Sequence, residues 1–360
     1  MSVKETVLKV LEANKGLIVS GQIIAAEAGA SRAAVWKAIA QLREEGYQIN
    51  ASTKKGYTLS ANSDLLSAEG IHSFCKKIPK DKIYCFKTID STNDKAKKLA
   101  VQGGIDMALI VSEEQTSGRG RMGRSFFFPN ASGIYMSLLI KPDFDISKSI
   151  LVTTAAAVAV CRAIDSVLNL NCRIKWVNDI FLDDRKIGGI LTEAITDFES
   201  GQVEYIVIGI GINYWAPMKP FPEDIKHTAG SLQNKWSSNS IDGAADSADS
   251  TDISSSSIRV AANVPIISPE SRNKLIGEIA SELINLLSSL NNIDFLEEYK
   301  SRSFILGHQV IFSYLKNGQI FSESGKAVDI DSDGSLIVLL EDGNIKTINS
   351  GEVTIRKQPE

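Results

Sequence analysis

The sequence predicts an α+β protein of several domains. Its 360 residues exceed the length that one hydrophobic core usually serves, so two or three domains are expected. The apolar spacing is helical at the N-terminus, mixed in the centre and strictly alternating near the C-terminus. We place the domains at residues 1–62, 63–305 and 306–360.

The first domain begins with three predicted helices. Residues 6–11 and 21–28 have helical apolar spacing, and a tight turn at Gly29 follows them. Ser31 is a good N-cap for a third helix, which runs to about Glu45. A helix, a short turn and a capped helix at this spacing predict a helix-turn-helix.

The third helix and the segment after it complete a winged form of this motif. Val35, Ile39 and Leu42 recur at i, i+4 and i+7 and are expected to face the core. After Gly46 the apolar residues alternate on both sides of Lys54-Lys55-Gly56. This pattern predicts a hairpin wing with a basic tip.

Charge favours an anionic partner for this domain. Residues 1–60 carry a net charge of +3, which leaves −7 for the remaining 300 residues. A small helical protein-interaction module is the alternative, but basic residues on the third helix and at the wing tip favour DNA. A net charge of only +3 predicts weak non-specific binding, so tight operator binding would need a dimer. The predicted DNA-binding residues, within a helix-turn-helix from Gly21 to Ala40, are Ser31, Arg32, Ala33, Lys37, Lys54 and Lys55.

Strand-like and helix-like segments mix in the central domain, which predicts a mixed α/β sheet with covering helices. The predicted strands are residues 82–86, 107–112, 133–140, 173–176, 186–195 and 202–212, and the predicted helices are residues 92–102, 153–168 and 274–290.

An insertion and a run of short strands follow. Residues 235–257 contain nine Ser and four Asp, so a disordered or mobile insertion is expected at about 235–265. From Gln309 onward the strands alternate and are separated by hairpin-turn dipeptides, which predicts a small β-barrel or sandwich. The turn dipeptides are Asn317-Gly318, Asp333-Gly334 and Asp342-Gly343.

Cysteine spacing and hydropathy exclude several classes of protein. The four cysteines form no CxxC pair, so neither a zinc site nor a disulfide framework is expected. The N-terminus lacks the apolar region of a signal peptide. The most apolar stretch, Ile150 to Val160, is much shorter than the roughly 20 residues of a membrane span. A cytoplasmic location without membrane contact fits best.

The loop that follows the second predicted strand carries the densest chemical signal. Residues 115–124 read QTSGRGRMGR, and Gly118, Gly120 and Gly123 spell GxGxxG. A dinucleotide-binding turn is not favoured, because three arginines fill the loop and Phe126 to Pro129 is a poor helix start. Backbone amides and guanidinium groups instead suit a phosphate or carboxylate. The aromatic residues indicate a loop that orders over a ligand.

Three further segments carry polar residues or glycines at strand ends. Asp90-Ser91-Thr92-Asn93 joins a strand to a helix, and residues 175–179 read KWVND. Lys186 lies at the start of the next predicted strand. A solvent-exposed lysine on a surface hairpin is the alternative to a lysine that contacts a ligand. Residues 209–213 read GIGIN, with glycines where a ligand could approach closely.

Taken in order, these motifs resemble those of the biotin protein ligases. STN at 91–93, QTSGRGRMGR at 115–124, KWVNDIFLDDRKIGGIL at 175–191 and GIGIN at 209–213 carry the resemblance. The N-terminal part, with SRAAVWKAIAQLREEGY at 31–47 and KKGYTL at 54–59, is similar to the bifunctional bacterial members that also repress the biotin operon. The sequence departs from the family at Met122, at Val177 and in the Ser/Asp-rich insertion.

The resemblance implies a class II synthetase-like catalytic domain, an SH3-like C-terminal barrel and a two-step reaction. Biotin and Mg-ATP would give biotinyl-5′-AMP and pyrophosphate, and a lysine of a biotin carboxyl carrier protein would then attack the adenylate. Operator DNA would be a second partner, bound by a homodimer when biotinyl-AMP is present. Lys186 and Arg121 would be catalytic; the metal ligands stay unknown. The implied biotin and adenylate site comprises Ser91, Thr92, Asn93, Gln115, Gly118, Arg119, Gly120, Arg121, Arg124, Lys186, Gly189, Gly211 and Asn213.

Two rival functions remain open at this point. A lipoate or octanoate ligase would share the catalytic fold and a lysine, but the arginine-glycine loop argues against it. A transcription regulator that senses a small ligand without turnover would not need Lys186 beside intact STN and GRGRMGR segments.

Overall fold

A computed structural model describes most of the chain. The described residues are 2–61, 63–121, 133–144, 148–196, 202–217, 220–233, 271–316 and 319–355. Four sequence predictions fall outside them: the insertion at about 235–265, the role of Arg124, the aromatic run at 126–128 and the turn at Asn317-Gly318.

The N-terminal domain is the predicted winged helix-turn-helix. Ser31 caps the third helix by accepting a hydrogen bond from the amide of Ala34, as predicted. Val35, Ile39 and Leu42 are buried in a small separate core. The elements are α1 (Val3–Ala13), α2 (Gly21–Glu27), α3 (Arg32–Glu44), β1 (Ile49–Ser52) and β2 (Gly56–Leu59).

The central domain is a seven-stranded mixed sheet in the order β3-β4-β5-β9-β8-β7-β6, in which β3 and β4 pair in parallel and the other pairs of described strands are antiparallel. Three of its elements, α4, β7 and α8, were not predicted from the sequence. The elements are α4 (Ala68–Phe74), β3 (Ile83–Ile89), α5 (Thr92–Gln102), β4 (Met107–Gln115), β5 (Gly133–Ile140), α6 (Ser149–Leu168), β6 (Arg173–Lys175), β7 (Asp179–Leu182), β8 (Arg185–Thr196), β9 (Val203–Asn213), α7 (Ser271–Ser288) and α8 (Phe295–Arg302).

Alternation along β9 gives the sheet two different faces. Ile208, Ile210 and Ile212 belong to the main core, which α6 and α7 also form. The intervening positions, Gly209 and Gly211, point to the opposite face. Helix α5 covers part of that second face through a smaller apolar cluster. The glycines leave the rest of it open.

Helix α6 is the one described helix that is long and apolar enough to cross a membrane. Its 20 residues exceed the stretch at 150–160 that sequence analysis singled out. The helix is instead largely buried inside the protein, in contact with α7 and α8. Its composition therefore reflects a core position.

The C-terminal domain is a five-stranded antiparallel sheet in the order β13-β12-β11-β10-β14. The predicted turns at Gly334 and Gly343 are present, and both glycines have positive φ. Trp176 donates a hydrogen bond from its indole to the carbonyl of Gly334 at 3.0 Å, which ties this domain to the central one. The described residues form no closed barrel. The strands are β10 (Gln309–Lys316), β11 (Gln319–Ile330), β12 (Leu336–Leu340), β13 (Ile345–Ile348) and β14 (Glu352–Ile355).

Candidate functional site

A cavity of about 340 Å³ lies on the open face of the central sheet. Its floor is built from residues with small or absent side chains: Gly209 and Gly211 of β9 and Gly189 of β8, which pairs with Gly211. A Cβ on Gly209 would lie 2.2 Å from Oδ1 of Asn93. Glycine is therefore needed at position 209 for Asn93 to reach the cavity.

The start of α5 forms one wall of the cavity. Ser91 caps the helix, and both the amide and the hydroxyl of Thr92 donate to Oε1 of Gln115, at 2.7 and 3.1 Å. Ser137, on β5, donates at 2.6 Å to Oδ1 of Asn93. The positive end of the helix dipole therefore faces the cavity beside neutral polar groups, an arrangement that favours an anion.

Two charged side chains, Glu193 and Lys97, fix the position of Asn93. Its amide donates to Glu193 at 2.7 Å, and Lys97 lies 2.7 Å from the other oxygen of that carboxylate. Burial raises the pKa of Glu193, but the hydrogen bonds from Lys97 and Asn93 outweigh it and hold the pKa below its usual value. Glu193 is therefore a fixed acceptor at neutral pH.

Two arginines of the glycine-rich loop line the cavity. Arg119 is half-exposed and contacts the carboxylate of Asp94. Arg121 is more buried and donates to Oδ1 of Asn178 at 3.1 Å. Burial lowers the pKa of Arg121, which indicates a poorly hydrated guanidinium group. An anionic ligand would therefore form strong charge-assisted hydrogen bonds with this guanidinium group.

Lys186 points into the same cavity from β8. Its ammonium lies 2.7 Å from Oδ1 of Asp179, at the start of β7. Its backbone is held on both sides, because its amide donates to Thr228 and its carbonyl accepts from Gly230. The cation is thus fixed at the cavity by a carboxylate and by the segment at 220–230.

Asn213 ends β9 at the edge of the cavity. Its amide donates to the carbonyl of Gly230 at 2.9 Å, and the residue is buried. Its Oδ1 has no hydrogen-bond partner among the described residues. A buried, unsatisfied acceptor that lines a cavity suits a ligand N–H group.

Most of the residues predicted for the site therefore lie together. Gly118 is buried in the loop but does not line the cavity, and Arg124 lies outside the described residues. The cavity also has lining residues that were not predicted as ligand-binding. These are Lys175, Trp176, Asn178, Asp179, Gly188, Ile190, Leu191, Gly209, Ile210, Phe221, Ile225, Thr228, Ala229, Gly351, Glu352, Val353 and Thr354.

A local sequence signal was present for only some of these additional lining residues. Asn178 and Asp179 belong to the polar strand end at 175–179, which could have been assigned to the site. Gly351 directly precedes β14 and residues 352–354 belong to it, more than a hundred residues after Asn213. No pattern around them indicates a ligand, because the packing of two domains brings them to the cavity.

The described residues do not form a dedicated metal-binding site. Among them, no group of three or more His, Cys, Asp or Glu side chains is placed to hold an ion. The cavity is lined by the carboxylates of Asp179 and Glu352. Magnesium that arrives with a nucleotide needs only one or two carboxylates, so these residues fit such an ion.

The predicted DNA-binding residues form an exposed surface on the first domain. Arg32, Ala33 and Lys37 are exposed on α3, and Ser31 caps that helix. Lys54 and Lys55 are exposed between the two wing strands. This separation of a helix and a basic turn suits contacts with the groove and with a phosphate backbone.

Comparison with known protein families agrees with this geometry. Residues 85–213 match the Biotin/lipoate A/B protein ligase family, residues 3–58 match an HTH domain, and residues 305–356 match the Biotin protein ligase C terminal domain. The central part of the chain is therefore similar to the biotin/lipoate A/B protein ligases. The two flanking matches place a DNA-binding type of domain before the ligase domain and a ligase-specific domain after it.

Several curated relatives are named for both a ligase and a repressor function. The chain is 39% identical over 215 residues to the bifunctional ligase/repressor BirA of Bacillus spizizenii and 31% identical over 198 residues to that of Escherichia coli. These matches cover 59% and 54% of this chain, and 66% and 59% of the relatives. The chain thus spans just under two thirds of the first Bacillus relative's length. A biotin–[acetyl-CoA-carboxylase] ligase of Mycobacterium tuberculosis is 25% identical over 270 residues, 73% of this chain and 85% of that relative.

Solved structures agree on the fold. A biotin protein ligase from Aquifex aeolicus, in complex with biotin and ATP, superposes with a TM-score of 0.53. That similarity covers 77% of this chain and 99% of the other, at 23% sequence identity. At this identity the similarity supports the fold alone.

Proposed function

We propose that the protein activates biotin with ATP as biotinyl-5′-AMP and transfers the biotinyl group to a lysine of a biotin carboxyl carrier protein. The observation that carries this proposal is the grouping of Arg119, Arg121 and Lys186 around one glycine-floored cavity. Several cationic side chains around one cavity suit a reaction between two anions. The names of the curated relatives agree with this assignment.

The first step requires a carboxylate to attack the α-phosphate of ATP. Two negatively charged groups must approach each other, and the cationic side chains of Lys186 and Arg121 offset their repulsion. The carboxylate oxygen forms a bond to phosphorus as the bond to pyrophosphate breaks. We assign Lys186 to the biotin carboxylate and the acyl phosphate, and Arg121 to the adenylate phosphate.

The remaining lining residues would orient the substrates. Ser91, Thr92 and Asn93 present neutral polar groups at the start of α5, and the unsatisfied acceptor of Asn213 suits a ureido N–H group of biotin. Gly189 and Gly211 allow close approach of a ring to the sheet. Mg²⁺ bound together with ATP would supply positive charge, and Asp179 and Glu352 are the candidate residues to hold it.

In the second step the lysine of the carrier protein would attack the mixed anhydride. The amine displaces AMP and forms an amide with biotin. No covalent enzyme intermediate is needed, which agrees with the absence of a Ser/His/Asp or Cys/His constellation from the assigned site residues. Asp179 could accept the proton that the amine releases, because its carboxylate already faces the cavity.

The winged helix-turn-helix extends the proposal to repression. We propose that Ser31, Arg32, Ala33, Lys37, Lys54 and Lys55 contact operator DNA, and that two copies bind together when biotinyl-AMP is present. One DNA-binding domain has a low net charge and would therefore bind DNA weakly on its own. This supports binding by a dimer. A cytoplasmic location and an SH3-like closure of the C-terminal sheet also remain proposals.

Biotin-dependent exchange of radiolabelled pyrophosphate into ATP tests the assignment directly. We expect exchange with biotin and at least about a hundredfold less with lipoate or octanoate, because binding energy from the non-reacting part of the substrate drives the step. Exchange that depends on lipoate would identify the lipoate ligase alternative. Biotin binding without exchange would identify a sensor without turnover.

A further inference from the structure

A buried arginine, Arg272, joins the central domain to the segment that follows the DNA-binding domain. Its side chain is only 3% exposed, in the first turn of α7. Its Nε lies 2.8 Å from Oδ1 of Asp64, and its Nη2 also donates to the Asp64 carbonyl. Asp64 lies between β2 and α4. We call residues 63–67 the linker, because they connect the two domains.

The same ion pair contacts the strands that carry the cavity. Nη1 of Arg272 donates at 3.3 Å to the carbonyl of Gly133, the first residue of β5. The indole of Trp215 donates at 3.0 Å to Oδ2 of Asp64. Trp215 follows Asn213, the cavity residue at the end of β9, by two positions. Both oxygens of the Asp64 carboxylate are therefore used.

A second carboxylate connects the linker to β4. Oε1 of Glu113 lies 3.8 Å from Nη2 of Arg272 and accepts a hydrogen bond from the amide of Leu66 at 3.2 Å. Glu113 precedes the cavity residue Gln115 by two positions. Strands β4, β5 and β9 thus all contact the linker network close to the point where they reach the cavity.

The linker also contacts the DNA-binding domain. Asn273 accepts from the amide of Ser67 at 3.2 Å and donates to the carbonyl of Leu65 at 2.9 Å. Ser67 in turn donates at 3.4 Å to Glu12 of α1. A continuous series of packed polar contacts therefore runs from the cavity strands through the linker to the first helix.

Such a network resists small displacements. A buried charge that loses its partner is strongly destabilising, so Arg272 and Asp64 are expected to move together. A shift of β5 or β9 on ligand binding would change the position of Gly133 or Trp215, and the linker would have to follow.

We propose that the Asp64–Arg272 pair couples occupancy of the cavity to the position of the DNA-binding domain. The proposal rests on the proposed biotin and ATP site, and it states how occupancy of that site would affect the DNA-binding domain. Coupling through the linker acts within one chain, so it is separate from any ligand effect on dimer formation.

Asp64→Asn tests the coupling, because the amide keeps the volume of the carboxylate but loses its charge. DNA affinity is measured with and without biotin plus ATP, on a duplex that the loaded wild-type protein enriches from a random-sequence pool. The duplex is trimmed to one half-site, so that one protomer binds and ligand-dependent dimer formation does not contribute to the ratio. We expect the wild-type affinity ratio of about five- to 150-fold to fall to within about twofold of one in the variant. Biotin-dependent pyrophosphate exchange should stay within about threefold of wild type.

Glu69→Gln is the matched control. Glu69 is also a carboxylate near the domain junction, but it pairs with Lys80 at 3.0 Å and not with the network of Arg272. This variant should keep the full affinity ratio. Full coupling in a folded Asp64→Asn protein, or equal loss in both variants, would overturn the proposal.

Hydrogen exchange in the unmutated protein gives a test that does not depend on a variant folding. The amides of Leu66 and Ser67 should exchange at least about tenfold more slowly once biotin and ATP are bound, since their acceptors are Glu113 and Asn273. Unchanged exchange at these amides, in protein that catalyses pyrophosphate exchange, would refute the coupling and leave the ligase assignment intact. Absence of pyrophosphate exchange would instead refute the assignment itself.

Discussion

The ammonium of Lys186 lies 2.7 Å from a carboxylate oxygen of Asp179, with both groups on the wall of the same cavity. The pair joins β8 to β7, and it fixes the lysine before any ligand arrives. A preorganised cation needs little reorganisation when negative charge develops beside it. Lys186 thus has a geometric role that its position in the sequence only suggested.

Replacing Lys186 by Ala should reduce biotin-dependent pyrophosphate exchange by at least about a hundredfold, because one cation that offsets the repulsion between carboxylate and phosphate is lost. Circular dichroism should show an unchanged fold, since the side chain is more than a third exposed. Lys226→Ala is the control: this lysine pairs with Glu223 near the surface and should leave exchange unaffected. Normal exchange in Lys186→Ala would remove the residue from the mechanism.

Replacing Arg121 by Gly should loosen retention of the adenylate. A charge-assisted hydrogen bond is worth about 1.5–3 kcal/mol, so dissociation should accelerate by roughly ten- to a hundredfold. The released ester should then biotinylate lysines on unrelated proteins, which blotting for biotin detects. Arg173→Ala, which removes an arginine that contacts Asp184 outside the cavity, serves as the control. Wild-type dissociation in Arg121→Gly would show that Arg121 does not hold the phosphate.

The sequence predicted the local parts of this structure well. The cap at Ser31, the helix at 92–102 and the strand at 133–140 appear as expected. Each has a strong local cause: a hydroxyl N-cap, a capped amphipathic helix or a continuous apolar run. The short strand β7 was missed because its four residues carry no clear alternation.

Residues that reach the site through tertiary packing could not be predicted in this way. Glu352 lies on the last strand, and its approach to the cavity depends on how the C-terminal sheet docks. The buried pair of Asp64 and Arg272 joins positions 208 residues apart. Neither residue belongs to a pattern that would distinguish it from an exposed charge.

Gly209→Ala should impair biotin binding. The new methyl group would lie 2.2 Å from Oδ1 of Asn93, so that side chain must leave its contacts with Ser137 and Glu193. We expect the KM for biotin to rise by about tenfold or more, which corresponds to the loss of one or two hydrogen bonds. Steady-state kinetics measure this change. An unchanged KM for biotin would show that Asn93 does not orient the substrate.

Acid should weaken the contact between α6 and α8. Burial raises the pKa of Glu298, but hydrogen bonds from Arg162 and Arg302 outweigh it and hold the pKa below the ordinary 4.5. A carboxyl group with a lowered folded-state pKa stabilises the fold above its unfolded pKa and loses that contribution as pH falls through the folded value. The Tm difference between wild type and Glu298→Gln should therefore be largest near neutral pH and shrink below 4.5.

Glu297→Gln is the control for this pH dependence, because the neighbouring carboxylate is 81% exposed and pairs only loosely with Lys300 at 3.6 Å. Its Tm should differ little from wild type at any pH. A constant Tm difference for Glu298→Gln between neutral and acidic pH would contradict the expected linkage.

Lys37→Ala combined with Lys54→Ala should weaken DNA binding without changing biotin transfer. Lys37 is exposed on α3 and Lys54 is exposed in the turn between the wing strands, so the two substitutions remove cations from both predicted contact regions. Each lost phosphate contact should also lower the slope of log affinity against log salt by about one. Lys9→Ala, on the exposed face of α1, controls for the change in net charge.

The proposed dimer adds a further expectation to the same experiment. Because one domain carries a net charge of only +3, two half-sites must be bound together for tight operator binding. Sedimentation with biotin plus ATP should show more dimer than sedimentation without them, and DNA affinity should rise in parallel. The double variant should keep this ligand-dependent dimer while losing DNA affinity. Equal monomer fractions and equal affinities with and without ligand would refute control by the adenylate, although the ligase assignment would stand.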